Sequence, residues 1–155
     1  MSFLNNLRAR LVMGAALVGF GAAKLLAQIF LVIWQLMSLG QSDIAARGVW
    51  LLALYMPAIA IVSLGLGLLL VAVLTRKGGQ PLVERLTLGA VGSVIGTLAI
   101  FKGADPISLV LNLIPWASPL AYYSVSAVVA AALIILGCVA AIPLGRAAEG
   151  RAVAA

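Results

Sequence analysis

Four long runs of apolar residues dominate this chain and limit the folds that are open to it. They cover residues 11–39, 49–74, 81–101 and 120–144. A helix needs about 20 apolar residues to cross the hydrocarbon of a bilayer, and each run is long enough. Of the 155 residues, 65% are hydrophobic and 9% are charged, whereas soluble chains carry about 25% charged residues. The sequence therefore predicts an all-α integral membrane protein in which residues 1–155 form a single transmembrane domain.

The connections between the runs predict how the helices are arranged. Residues 40–48 and 75–80 are short connections, so each joins two helices that must be antiparallel neighbours. The third connection, residues 102–119, is longer. We therefore expect a four-helix bundle with up-down-up-down topology.

Basic residues are distributed unequally between the two sides of this predicted bundle. One side carries Arg8, Arg10, Arg76, Lys77, Arg85, Arg146 and Arg151, and the other carries Arg47 and Lys102. Positively charged loops stay on the cytoplasmic side, so both termini and the second connection are expected in the cytoplasm. Aromatic residues, which prefer the membrane interface, lie near the opposite, outer ends. They are Trp34, Trp50, Tyr55, Trp116, Tyr122 and Tyr123.

Two segments outside the spans have helical patterns of their own. Phe3, Leu4, Leu7 and Leu11 share one helical face, which predicts a short amphipathic lead-in along the inner membrane surface.

The outer connection contains the second such segment. Residues 106–116 form an apolar stretch that is too short to span, which indicates an interfacial or re-entrant half-helix. Asp105 is the expected N-cap, with Pro106 at the first helical position. This half-helix is either a lid over the outer end of the bundle or a loop that contacts a partner or a ligand.

Small residues at helical spacing predict where the spans pack closely, because membrane helices associate through close backbone approach. The predicted helix-packing residues are Ala15, Gly19, Ala23, Gly89, Gly92, Gly96, Ser126, Ala130 and Gly137. Glycine lowers helix propensity, so its repeated use in the third span favours a packing purpose.

Lys24 is the main chemical lead, because it lies inside the first apolar run and the sequence places no acidic residue at the same depth. A charge in hydrocarbon costs about 3 kcal/mol on insertion scales. Gln28 and Gln35 share its helical stripe. Three interpretations are open: Lys24 extends to the cytoplasmic interface, the stripe binds a partner subunit or cofactor, or it lines a path for an anion or small polar solute.

The composition weighs against several classes of function. Histidine is absent and Cys138 is the single cysteine, so no metal site and no disulfide within the chain are expected. No nucleophile–base pair or phosphate-binding glycine loop is present, and we expect no enzymatic activity. The basic residues form no face for nucleic acid. No cofactor is predicted, although a bound lipid, quinone or carotenoid stays open.

Residues Leu74 to Leu82, followed by Arg85-Leu86 and Gly89, resemble a connection in an uncharacterised family of small four-span bacterial membrane proteins. There, a basic cytoplasmic turn with a Gly-x-Pro element leads through Arg-Leu into the third span. Residues 145–149 are similar to the tail of that family, whereas Leu82 replaces its usual aromatic residue. The resemblance implies a four-span architecture and no particular activity.

These patterns favour a non-enzymatic accessory or structural subunit that packs laterally within a larger bacterial inner-membrane complex. Its expected partners are the lipid bilayer and either other membrane subunits or further copies of the chain. The alternative is a small oligomeric transporter or channel for an anion or small polar solute, using Lys24, Gln28 and Gln35.

Overall fold

The computed structural model describes residues 7–74, 81–103 and 105–141. Within these ranges all regular structure is helical. The helices are α1 (Leu7–Met37), α2 (Ser42–Leu74), α3 (Leu82–Phe101), the short α4 (Pro106–Leu111) and α5 (Pro119–Ala141). Helices α1, α2, α3 and α5 are long and apolar enough to cross a membrane, which confirms the predicted all-α class with four candidate spans.

The ends of the first two helices differ from the predicted spans. α1 begins at Leu7 and continues without a break into the span, and Leu11 is buried inside the bundle. Residues 7 and 11 therefore do not belong to a separate surface lead-in, because they lie in the same continuous helix as the span. Phe3 and Leu4, the other residues of that predicted segment, lie outside the described residues.

The first connection is shorter than predicted. α1 ends at Met37, and Gly40 follows with a φ of 83°, a conformation that glycine adopts without steric cost. α2 then begins at Ser42, well before residue 49. Asp43 lies in its first turn, where a negative charge interacts favourably with the helix dipole.

α1 is the central element of the bundle, since it contacts α2, α3 and α5 and is the most buried of the four long helices. Its glycines allow α5 to approach closely. A Cβ added to Gly14 would lie 2.9 Å from the carbonyl oxygen of Gly137, and one added to Gly21 would lie 2.9 Å from that of Ala130. These pairs advance in opposite directions along the two chains, so α1 and α5 are antiparallel.

α3 packs on another side of α1 through its own glycines. A Cβ on Gly92 would meet Val12 and Ala15, and a Cβ on Gly96 would meet the backbone of Ala16. The numbers rise together on both helices, so α3 runs parallel to α1. Because Gly96 lies beside Ala16, the C-terminal end of α3 reaches only about the level of Lys24, whereas α1 continues to Met37.

Buried hydroxyl groups add polar contacts between the helices. The Ser63 and Thr97 hydroxyl oxygens, on α2 and α3, are 3.4 Å apart. Ser93 on α3 donates to the carbonyl oxygen of Ala15 on α1 at 3.5 Å. Such contacts are individually weak but they fix which helix faces meet in an apolar surrounding.

A substitution at Gly96 tests whether α1 and α3 are in close backbone contact. Gly96→Ala should force α1 and α3 apart, because the added Cβ would clash with the Ala16 carbonyl group, and the expected cost is about 1–3 kcal/mol of unfolding free energy. Gly65→Ala is the matched control, since a Cβ there has no neighbour within 4 Å. Thermal unfolding of both variants in detergent, followed by circular dichroism, measures the difference. Equal melting temperatures would contradict the close α1–α3 contact.

Candidate functional site

Lys24 is paired inside the protein, contrary to the expectation from the sequence. Its Nζ donates to Oδ2 of Asp105, in the connection between α3 and α4, and to the Ser108 hydroxyl oxygen at 2.7 Å. The side chains of Lys24 and Asp105 are only 7% and 15% exposed. The expectation that no carboxylate neutralises Lys24 is therefore wrong, and its ammonium is directed to the start of α4 rather than to the end of the bundle that carries Arg8 and Arg10.

The short α3 explains how Asp105 reaches Lys24. α3 ends near the level of Lys24, while α1 continues and α5 also extends past Gly21, which lies beside Ala130. This leaves space above the end of α3, between α1 and α5, and α4 occupies it. Asp105 is the N-cap of α4, and the position of α4 places its carboxylate next to the buried Lys24.

Asp105 uses its two carboxylate oxygens for different purposes. Oδ1 accepts hydrogen bonds from the backbone N–H groups of Ile107 (3.1 Å) and Ser108 (3.2 Å), and so caps α4. Oδ2 accepts from Lys24 and from the Ser108 hydroxyl. The predicted N-cap at Asp105 and the proline at the start of the helix are confirmed. One carboxylate therefore starts the helix and neutralises the lysine.

The Ser108 hydroxyl group connects this pair to α5. It accepts from Lys24, donates to Asp105 Oδ2 at 2.7 Å and accepts from the Tyr122 hydroxyl at 3.1 Å. A hydroxyl has one proton and two lone pairs, so all of its hydrogen-bonding capacity is used. We call Lys24, Asp105, Ser108 and Tyr122 the polar cluster.

Apolar side chains cover the polar cluster. Ile107 and Leu111 of α4 pack with Phe20 of α1 in a buried cluster, and Trp116 and Tyr122 pack against it. Trp116 also donates from its indole Nε1 to the Leu111 carbonyl oxygen at 2.7 Å, which ties down the end of α4. The cover limits the contact of the pair with solvent, and this strengthens the electrostatic attraction between the two side chains.

The electrostatics of the polar cluster favour the charged form of Asp105. Burial by itself raises the pKa of this carboxyl group, but hydrogen bonds from Lys24 and Ser108 outweigh burial and lower its pKa below the ordinary value of 3.8. Asp105 is therefore ionised near neutral pH.

The other residues of the predicted stripe behave differently from Lys24. Gln28 is 4% exposed, and its Oε1 atom has no hydrogen-bond partner among the described residues. Gln35 lies further along α1 and is half-buried. The structure thus brings Lys24 together with α4 and α5, and does not connect it through hydrogen bonds to either glutamine in the described part of the chain.

The predicted helix-packing residues and aromatic residues can also be located. All nine of the small residues are buried: Ala15, Gly19, Ala23, Gly89, Gly92, Gly96, Ser126, Ala130 and Gly137. The aromatic residues form separate groups. Trp34 stacks on Phe30 and donates to the Ile44 carbonyl oxygen. Tyr122 contacts both Trp116 and Tyr123 edge to face, and Trp50 is 78% exposed.

The hydrogen bonds of the polar cluster hold α1, α4 and α5 together, and we call this a structural lock. Within residues 7–74, 81–103 and 105–141 there is no group of three His, Cys, Asp or Glu side chains that could hold a metal ion. The lysine, carboxylate and serine are bonded to one another rather than directed into an open cleft.

No protein-family model, curated protein or solved structure matches the chain, so its resemblance to the four-span family stays a prediction.

Sequence reasoning missed Asp105 as the partner of Lys24 because the pair is far apart along the chain. A signal was nevertheless present. The third apolar run is the shortest, and an Asp-Pro helix start follows it after residues 102–104. A short span beside a longer one leaves space that the next segment must fill, and an acidic first residue would then meet a buried base.

A double-mutant cycle tests whether the pair acts as a lock. Asp105→Asn keeps an N-capping side chain but leaves Lys24 buried without a counter-charge, so it should cost about 3–5 kcal/mol of unfolding free energy. Lys24→Met in the same chain should restore part of that loss, because no uncompensated charge remains. Glu84→Gln is the control, since Glu84 pairs with Arg8, which is 69% exposed, and exposed pairs contribute about 0–1 kcal/mol. Additive effects of the two substitutions in detergent would contradict coupling.

The pH dependence of stability provides a separate test. Because the folded protein lowers the pKa of Asp105 from 3.8, its contribution to stability is present above that value and is lost as the pH falls through the lower pKa of the folded state. The melting temperature of the wild type should therefore fall more steeply than that of Asp105→Asn once the pH is below about 4. Parallel curves for the two proteins across the acid range would show that Asp105 is not the group responsible.

Proposed function

We propose that this chain is a non-enzymatic accessory subunit that packs laterally against another protein within a bacterial inner-membrane complex. In this proposal α1, α2, α3 and α5 cross the bilayer in an up-down-up-down arrangement, with both termini in the cytoplasm. The observation that carries the proposal is the surface of α2, which is apolar, weakly covered by the rest of the chain and interrupted by an open glycine.

Gly65 is the first part of this argument. Among the described helical glycines, it alone has no atom within 4 Å of an added Cβ, whereas Gly14, Gly67 and Gly96 each lie against a neighbouring helix. Glycine inside a helix is less favourable than alanine by about 0.8–1.0 kcal/mol. A glycine that faces no helix of its own chain, in the middle of an apolar helix, is typical of a contact with a helix from another chain.

A groove between α1 and α2 is continuous with Gly65. It has a volume of about 560 Å³, and Phe30, Trp34, Tyr55, Ala58 and Val62 contribute to its apolar lining. Ala58 and Val62 lie four residues apart, and Gly65 and Leu69 continue the same helical face.

We call Ala58, Val62, Gly65 and Leu69, together with the groove beside them, the docking face. Val62 and Leu69 are 50% and 61% exposed on the surface of the chain. A partner helix could pack its side chains into the groove and approach the backbone closely at Gly65. Lipid tails are as apolar as leucine, so the shape of this face rather than its hydrophobicity would select the partner.

The polar cluster supports a structural role for the first span over the transport alternative. A path for an anion along Lys24, Gln28 and Gln35 would need the lysine to face a water-filled space. Instead its charge is neutralised within the chain, and α4 covers it. The buried pair supports a rigid bundle whose outside, rather than its interior, is the functional surface.

The charge distribution supports the proposed orientation. The end opposite α4 has more basic than acidic residues in the described part of the chain. The basic residues are Arg8, Arg10 and Arg85, and the acidic residue is Glu84, which pairs with Arg8. Arg47 and Lys102 lie at the α4 end with Asp43, while Asp105 at that end is already neutralised by Lys24. The end opposite α4 is therefore the expected cytoplasmic end under the positive-inside rule.

Gly65→Leu tests the docking face. The leucine should fill the contact surface and prevent close approach, so proteins that co-purify in mild detergent with the wild type should be depleted by about tenfold or more, which corresponds to about 1.4 kcal/mol. Quantitative mass spectrometry of affinity-purified samples measures this loss. Because Gly65 has open space around it, the melting temperature of the isolated chain should not fall.

The matched control is Ala132→Leu on the exposed face of α5, which adds the same side chain to another apolar surface of the bundle. Partner recovery should survive that substitution. Recovery that survives Gly65→Leu equally well, or a wild-type chain that purifies without any stoichiometric partner, would count against the proposed function.

A further inference from the structure

Arg85 is a second buried charge, and unlike Lys24 it has no carboxylate partner among the described residues. It lies in the first turn of α3 and is 8% exposed. Its Nη1 donates to the carbonyl oxygen of Ala72 at 3.3 Å, and its Nε is buried without a hydrogen-bond partner. A buried guanidinium that meets one neutral carbonyl is poorly compensated, because its desolvation cost is balanced only by strong charged or multiple hydrogen bonds.

The nearest carboxylate in the sequence does not serve Arg85. Glu84 is bonded to Nε of Arg8 on α1 at 2.7 Å. Helix geometry turns adjacent residues to different faces, so Glu84 points to α1 while Arg85 points to the last turn of α2. The positive charge of Arg85 is therefore left for an acceptor from outside the described residues.

The surroundings of Arg85 select the kind of acceptor. Arg8 and Arg10 lie at the same end of the bundle, and Glu84 offsets one of these charges. The described residues at this end therefore carry a net positive charge, which attracts anions. Arg85 also stands at the end of two apolar spans, which is the depth at which lipid headgroups meet the protein. Guanidinium groups bind phosphate oxygens through paired, charge-assisted hydrogen bonds.

We propose that Arg85 binds the phosphate group of an anionic phospholipid at the end of the bundle where α2 ends and α3 begins. The lipid phosphate would supply the negative charge that the described chain lacks, and its acyl chains would lie along the apolar surfaces of α2 and α3. Val73 at the end of α2, which is 60% exposed, and Val83 at the start of α3, which is 75% exposed, offer such surfaces. This site is separate from the docking face and does not depend on the proposed partner.

Native mass spectrometry of the delipidated full chain, titrated with phosphatidylglycerol or phosphatidylcholine, tests the proposal. Wild type should retain phosphatidylglycerol preferentially, and Arg85→Gln should bind it about tenfold more weakly, which corresponds to about 1.4 kcal/mol. Arg47→Gln removes the same charge at the α4 end and should leave binding unchanged. Equal affinities for phosphatidylglycerol in wild type and Arg85→Gln would overturn the proposal, as would an equal loss in Arg47→Gln.

A conservative variant and a soluble probe complete the experiment. Arg85→Lys keeps the charge but loses the planar fork, so it should weaken phosphatidylglycerol retention less than glutamine does, and it replaces Arg85→Gln if that variant does not fold. If Arg85→Gln does not fold, phosphatidylglycerol retention in Arg85→Lys that equals that of the wild type would count against the site. Inorganic phosphate is the second probe: Arg85-dependent binding of phosphate that displaces the lipid would identify a soluble anion instead and overturn the lipid assignment.

Discussion

The ion pair between Lys24 and Asp105 is the constraint on which the architecture of one end of the bundle depends. A lysine ammonium in an apolar helix must be neutralised or reach water, and here neutralisation comes from a residue that also starts a helix. The pair therefore fixes the position of α4 as well as the charge balance. Ser108 and Tyr122 extend this effect to α5, since their hydroxyl groups complete the hydrogen bonds of the pair. A local electrostatic requirement thus determines how three separate segments meet.

Close contact between backbones is the second constraint, and it makes α1 the centre of the structure. Gly14 and Gly21 of α1 meet α5, whereas Gly92 and Gly96 of α3 meet α1 near Ala16. Such contacts need surfaces without large side chains, so each helix face can accept only a particular neighbour. The short reach of α3 along α1 then creates the space that α4 fills. Helix packing and ion pairing are consequently linked: the register of α3 determines where Asp105 can be.

Buried charges at the two ends of the bundle are treated in opposite ways. Lys24 is neutralised by Asp105 within the chain, which indicates stability rather than ligand exchange. Arg85 keeps a buried Nε atom without a hydrogen-bond partner among the described residues, and in our proposal a lipid phosphate supplies the missing negative charge. Between these ends, the docking face offers an apolar surface with an open glycine. This contrast between a neutralised interior charge and uncovered outer surfaces is what the proposed role as a subunit of an assembly requires.

The sequence by itself determined the four helices, the helical start at Asp105 and the surfaces of small residues, because apolar run length, Asp-Pro capping and glycine spacing are local signals. It did not reveal that Lys24 meets Asp105, or that the span from Leu7 is continuous. Those features depend on how far α3 rises beside α1, which is decided by contacts between residues distant in the chain, such as Gly96 and Ala16. Local patterns specify the helices and their capping. Only the tertiary register of the helices decides which buried charges find partners, because two charged groups attract strongly only when they lie within a few ångströms of each other.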